Sequence, residues 1–300
     1  MTESINLVSL IEKYGDDDKC REALEKIRWP DGVGCPRCGD MSVSELREYD
    51  KWDCNSCRYQ FTVTAGTIMH GSHLPLFKWF LAIYLMCESK KGISANQMKR
   101  TLGVAYKTAW HLCHRIREAM GNDSFTGPTL FGIVEVDETF VGGLQSGKGR
   151  GPYSTTNKSI VVGAVQRDGQ IRLEHIPNTR KATLHDFIRR TVRDEAQAIY
   201  TDEFLSYKGI GDHNTRHETV QHNLNEWVVG DVHTNSVEGV WSLFKRSIMG
   251  SFHQISRKHM DRYLEELEWR FNNRDNPHIF RDTLRRIVDT DALTYEALTG

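Results

Sequence analysis

Apolar residues recur along this chain at two different periods, and the switch between them divides it. Over residues 5–28, Leu7, Leu10 and Ile11, then Ala23, Leu24 and Ile27, fall at helical intervals. They predict two short helices broken at Gly15 and closed by Trp29-Pro30. Phe77, Phe80, Leu81, Tyr84 and Leu85 predict a helix over 75–88 with Pro75 at its first position. Ser94 and Gln97 have capping-box spacing and open a second helix that Gly103 ends; a third follows over 105–120. From residue 130 the period falls to two. FGIVEVDETFV sets Ile133, Glu135 and Asp137 on one face against Val134, Val136 and Glu138 on the other. SIVVGAVQ and IRLEHI read as further strands, joined through a hairpin turn at Asp168-Gly169. A helix over 182–194 carries Leu184, Phe187, Ile188 and Val192 on one stripe, and AIYTD gives another short strand. Helices over 234–249, 256–273 and 279–289 complete the pattern. Strands, then a helix, a strand and long helices predict an α/β fold: a mixed sheet with flanking helices.

Composition supports an ordered protein, since 39% hydrophobic and 10% aromatic residues in a chain of 300 suffice for a sizeable core. The expected units are N-terminal helices over 1–30, a cysteine-bearing unit over 31–70, a helical unit over 74–122, the α/β unit over 128–275 and a helical tail over 276–300. The net charge of −1 decides nothing, but its distribution does. Between residues 76 and 120 there are eight Lys or Arg and two Glu, a cationic excess of the kind that meets nucleic acid. No acid occurs between Thr139 and Gln166, where Lys148 and Arg150 sit among glycines and serines. The longest apolar run, WFLAIYLMC, is too short to cross a bilayer, and MTESINLVSL lacks the features of a signal peptide. A reducing, cytoplasmic setting is expected, with no membrane partner.

Seven cysteines is an odd number, and four have metal-site spacing. Cys35-Pro-Arg-Cys38 and Cys54-Asn-Ser-Cys57 lie fifteen residues apart, the pattern of a zinc ribbon. Four thiolates leave no open position for water, so the zinc expected there is structural. Cys20, Cys87 and Cys113 fall on apolar helix faces and read as packing residues. The two helices hinged at Gly103 have helix-turn-helix form, with residues 107–117 as the groove-facing candidate. Lys107, His111, His114 and Arg115 would lie near duplex DNA, with Lys99 and Arg100 on phosphates; a bundle that merely joins two units is the alternative.

Asp137 and Asp202 each read as closing a strand, where a sheet can bring them together, and Glu238 opens a later helix. Such carboxylates repel one another unless cations lie between them. Three of them, from two strands and a helix, suit a two-ion phosphoryl-transfer site taking Mg²⁺ or Mn²⁺. Asn235 and Lys245 share a helix face with Glu238, while Trp241 reads as core and His233 and Ser236 as structural or capping residues.

The blocks VEVDETFVGG, AIYTDEFLSYKGI, HTNSVEGVWSLFKR and SRKHMDRYLEELEWRFNNR resemble those of bacterial insertion-sequence DDE transposases with an N-terminal zinc ribbon. The resemblance spans residues 35–274 and implies a ribonuclease H-like catalytic fold, with Asp137, Asp202 and Glu238 at the DDE positions. Lys245 matches the basic residue that often follows the glutamate. Some relatives carry Asn at the third position, so the match leaves Asn235 and Glu238 both open, although a carboxylate holds a hard cation better than an amide does. The resemblance implies hydrolysis at element ends, then attack of the freed 3′-hydroxyl on target DNA. The implied partners are double-stranded DNA, as terminal inverted repeats and target, and further copies of the chain in a homodimer or higher oligomer. A DNA-binding regulator with a dead site, and a nuclease without strand transfer, are the competing readings.

Overall fold

The computed structural model describes residues 5–121, 129–142, 158–211, 215–220 and 233–300. The chain forms two compact units, Met1–Asn122 with Asp275–Gly300, and Asp123–Arg274.

The first unit opens with α1 (Leu7–Tyr14) and α2 (Asp17–Arg28), separated at Gly15. A three-stranded antiparallel sheet follows, from β1 (Val43–Leu46), β2 (Lys51–Cys54) and β3 (Gln60–Phe61). Trp29, Trp52, Tyr59 and Phe61 pack against Cys35 and Cys54 and give this small sheet its core. Next come α3 (Leu76–Glu88), α4 (Ala95–Leu102) and α5 (Tyr106–Gly121). The Ser94 hydroxyl accepts from the Gln97 N–H at the start of α4, and Gly103 ends it in the left-handed conformation.

The second unit is a five-stranded mixed sheet with helices. Its strands are β4 (Ile133–Val141), β5 (Ser159–Gln166), β6 (Ile171–Ile176), β7 (Ala198–Asp202) and β8 (Arg216–Val220), with α6 (Lys181–Thr191) between β6 and β7. The spatial order is β6-β5-β4-β7-β8. β5 is antiparallel to both β4 and β6, and β7 is parallel to β4 and β8. Val134, Val136, Val162 and Ala164 share a core with Leu184, Phe187 and Ile188 of α6. Val161, Val165 and Ile171 pack instead with α7 (Asn235–Ser247) and α8 (Met260–Asn272). Strand alternation thus feeds two cores from one sheet, a mixed sheet with helices packed on both faces.

The C-terminal residues are no separate tail. α9 (Ile279–Asp289) and α10 (Tyr295–Thr299) belong to the first unit, where α9 packs on α2, α3 and α5. Phe280 meets the rings of Tyr14, Phe80 and Tyr84. Among the described residues, no helix is long and apolar enough to cross a membrane.

Candidate functional site

The acidic crevice of the second unit begins with a register. β4 and β7 pair in parallel from Ile133↔Ala198 to Glu135↔Tyr200. Carried on by two residues, that register sets Asp137 level with Asp202, the last residue of β7. Asp137 therefore does not close its strand, as the sequence suggested; it lies mid-strand, where pairing with β7 has ended and the β4 edge is open. On its other side Asp137 faces Gly163 of β5.

α7 crosses this face with Val237, Val240, Trp241 and Phe244 buried. A β-carbon at Gly163 would lie 2.7 Å from the Trp241 ring, so only glycine leaves the indole its place. The indole Nε1–H donates to Asp137 Oδ2 at 2.9 Å. Glu238 and Lys245 project from the exposed side of the helix. Together Asp137, Glu138, Thr139, Asp202, Thr234, Glu238, Trp241, Ser242, Lys245, Arg246 and Met249 line a crevice of about 650 Å³.

The electrostatics of this crevice favour a cation. Burial, then the charge of Asp202, raises the Asp137 carboxyl to about 6, despite the backbone N–H of Glu138 and the Trp241 indole. Burial also raises Glu138 to about 7, against the hydrogen bond from the Tyr207 hydroxyl and together with Asp202 and Asp137. Tyr207 itself stays a phenol well above its usual range, because it is buried beside Glu138.

A second carboxylate of β4 sets the position of α7. Glu135 is fully buried. It accepts from the backbone N–H groups of Ser236 at 2.7 Å and Val237 at 3.2 Å, and from the Ser236 hydroxyl at 3.0 Å. Thr234, at the cap position, makes no side-chain cap bond, so Glu135 satisfies the first turn from another strand and meets its positive dipole end. Arg167 neutralises Glu135 through Nε at 2.8 Å and donates from Nη2 to the His233 carbonyl at 3.2 Å. Its guanidinium also lies over the Tyr200 ring.

Of the residues singled out from sequence, Asp137, Asp202, Glu238 and Lys245 meet at the crevice, while Asn235 is exposed and does not line it. Trp241 is core and also bonds an acid; Ser236 and His233 both contact Glu135. Glu138 and Glu135 were missed as contributors. The acid doublet Asp137-Glu138 was the available signal for the first; nothing local signals the second.

Within the first unit, Cys35, Cys38, Cys54 and Cys57 gather with all sulfurs within 4.8 Å of one another. Sγ of Cys35 lies 3.7 Å from that of Cys57, and Cys38 lies 3.5 Å from Cys54. Tetrahedral zinc with Zn–S near 2.3 Å puts sulfurs about 3.8 Å apart, so the four thiols fit a structural zinc. Matching turns build the knuckles: Gly39 N–H donates to the Cys35 carbonyl and Arg58 N–H to that of Cys54, with Gly39 and Arg58 left-handed. Among the described residues this is the one group of three or more such side chains drawn so tightly together; the carboxylates of the crevice stand further apart.

The helical candidates need correction. His114 and Arg115 do not face outward on α5; both are buried. The helix is enclosed from Leu112 onward, with α9 packed along it. His114 lies against the Trp110 ring at 4.4 Å. Lys99, Arg100 and Lys107 are exposed, and His111 is half-buried with Nε2 at 3.3 Å from the Leu293 carbonyl. Lys148 and Arg150 lie outside the described residues.

Residues 129–272 match the family described as the ISXO2-like transposase domain, and residues 15–60 match the transposase zinc-ribbon domain. An uncharacterised protein of the transposable element ISH50 from Halobacterium salinarum is 29% identical, over 93% of this chain and 98% of that one. An uncharacterised transposase-like protein of Haemophilus influenzae is 33% identical, over 33% of this chain and 77% of its own length. Among solved structures, the simian T-cell lymphotropic virus intasome in complex with PP2A regulatory subunit B56 gamma aligns at 15% identity. That alignment covers 59% of this chain and 63% of the other, with a TM-score of 0.30. The Mos1 strand transfer complex aligns at 12% identity over 70% and 75%, with a TM-score of 0.29.

Proposed function

The chain belongs to the ISXO2-like transposases, and from that premise we propose that it cuts DNA at the ends of its element and joins them to target DNA. The observation that carries this reading is the convergence of Asp137, Asp202 and Glu238 on one crevice, with Lys245 beside them. Burial and mutual repulsion raise Asp137 there, which is the condition a bound cation relieves.

Asp137, Asp202 and Glu238 would hold two Mg²⁺ or Mn²⁺ ions; when bound, such ions activate the attacking oxygen and stabilise the leaving one. Trp241 fixes the rotation of the Asp137 carboxylate through its indole N–H. Glu135 holds the start of α7, and with it Glu238, against β4. Lys245 supplies a fixed positive charge for a phosphate oxygen, and its exposed ammonium can reach DNA lying over the crevice. Water is the nucleophile when the element end is cut, and the freed 3′-hydroxyl is the nucleophile in joining. Both are in-line displacements at phosphorus, so one crevice serves both. Two ends need two such crevices, and we assign the working form to a homodimer or higher oligomer on duplex DNA.

The test is incubation of the zinc-loaded protein with duplexes bearing the element's own terminal repeats, with Mg²⁺ or Mn²⁺, scoring cut ends and joined products. Glu238→Gln should abolish both products while DNA binding stays or tightens; Asn235→Ala should retain them. A parental rate for Glu238→Gln beside a dead Asn235→Ala would refute the third ligand. Cutting without joined products would leave a nuclease rather than a transposase.

A further inference from the structure

We propose that a cleft in the first unit, between the loop before α3, α5 from Lys107 to Arg115, and α10, is a seat for a backbone phosphate of DNA. The proposal rests on the reading that this protein acts on DNA, and assigns a phosphate contact far in sequence from the acidic crevice.

The cleft has a volume of about 530 Å³, and its polar lining is Ser72, His73, Lys107, Thr108, His111 and Arg115, with Tyr295 closing it from α10. No carboxylate lines it. Arg115 decides the chemistry. Its side chain is 6% exposed, its guanidinium lies 5.0 Å from the centre of the Trp79 ring, and Nη2 donates to the His70 carbonyl at 2.7 Å. Nε has no hydrogen-bond partner, and among the described residues no acid pairs with the guanidinium. A buried cation without a counter-charge is costly. The ring face and the carbonyl offset only part of that cost, and an anion in the cleft offsets the rest.

The neighbouring groups are held for the same task. Lys107 is exposed, yet its ammonium is steadied 4.2 Å from the centre of the Tyr295 ring. His111 is fixed by the Leu293 carbonyl, which can only accept, so Nε2 carries the proton. A planar guanidinium at the floor and an ammonium at the rim suit a tetrahedral oxyanion: the guanidinium binds in a fixed direction and the ammonium as a point charge. The same arrangement explains why α5 carries a buried arginine where a groove-reading helix would display it. The helix supports the duplex from below through one phosphate and reads no base with this residue.

Fluorescence anisotropy of full-length, zinc-loaded protein on an end-sequence duplex, titrated across salt, tests the assignment. Lys107→Ala changes an exposed residue and should lower the slope of log K against log[salt] by about 0.9, the share of one phosphate contact. Arg115→Lys should weaken binding at least several-fold while keeping a cation. Should Arg115→Lys misfold, Lys107→Ala and Lys107→Glu carry the test alone, the second predicting a larger loss. Unchanged affinity and slope in both Lys107 variants would overturn the proposal. Inorganic phosphate separates the sources: thermal stabilisation by phosphate that Lys107→Ala removes, with DNA binding unaltered, would assign the cleft to a free anion and overturn the DNA assignment. Failure of the proposed function is distinguishable, because loss of cutting with Glu238→Gln is read in products and this proposal in the salt slope.

Discussion

Replacing Asp137 with asparagine removes a charge that the folded protein disfavours, and the consequence is a pH-dependent gain in stability. Folding carries the Asp137 carboxyl from 3.8 to about 6, chiefly through burial and then through Asp202. Between those values the folded chain holds a proton that the unfolded chain has released. The stability contribution is therefore full below the ordinary carboxylate value and lost as pH rises through about 6. At roughly 1.4 kcal/mol per pH unit the loss is about 3 kcal/mol. Asparagine keeps the shape and the oxygen that accepts from Trp241 Nε1, so near pH 3, below the ordinary carboxylate value, the variant should match the parent. Near pH 7.5, without added divalent ions, it should be the more stable by up to about 3 kcal/mol. Glu138 acts in the same direction, because part of its own rise comes from Asp137.

Urea unfolding of both proteins at several pH values, followed by far-ultraviolet circular dichroism, measures that difference. The zinc thiols titrate too, but they lie in the other unit and cancel between parent and variant. Chelator is left out so that zinc stays bound. Added Mg²⁺ or Mn²⁺ should restore the parent at pH 7.5 and help Asp137→Asn little, since a cation binds the ionised carboxylate. A parent–variant difference that stays flat across this range would refute the argument that Asp137 is strained by its neighbours.

Two further outcomes follow from packing and from the cysteines. Gly163→Ala should cost about 1–3 kcal/mol by overpacking and reduce DNA cutting with duplex binding retained, since the new methyl would displace the Trp241 ring that holds Asp137; equal stability in urea unfolding would count against this. Cys38→Ser should lose the bound zinc measured by elemental analysis and unfold the small sheet around β1–β3, because structural zinc contributes on the order of 10 kcal/mol to such folds.

Much of this architecture was legible from periodicity. Helical spacing located α1 through α5, and the alternation in VEVDETFV marked β4, because burial on one face imposes those periods locally. The four cysteines were legible for a similar reason, since a knuckle is a local turn. Contacts set by distant segments were not. Arg115 looks like an exposed cation when α5 is read alone; its enclosure involves the Trp79 ring and the His70 carbonyl, which lie far back in the chain. Gly163 gives no sign in sequence that an indole must lie over it. Glu135 alternates with Asp137, yet whether it meets water or a helix amino end depends on how α7 crosses the sheet. β8 was not anticipated at all.

These nonlocal contacts divide the acidic crevice into a fixed part and an adjustable part. Asp137 is tied to α7 through Trp241, and α7 is tied back to β4 through Glu135, only two positions from Asp137. The first and third acids are therefore carried by one rigid assembly, closed at both ends by hydrogen bonds to buried groups. Asp202 belongs to no such closure. It stands beyond the last residue pair that joins β7 to β4, bonded to the Phe204 N–H and paired on its other side with β8. Repulsion from Asp137 acts across that unpaired gap, and protonation of Asp137 or a cation between the two carboxylates would relieve it. Cations held as proposed would therefore work mainly on the position of Asp202, with Asp137 and Glu238 as the frame against which it closes.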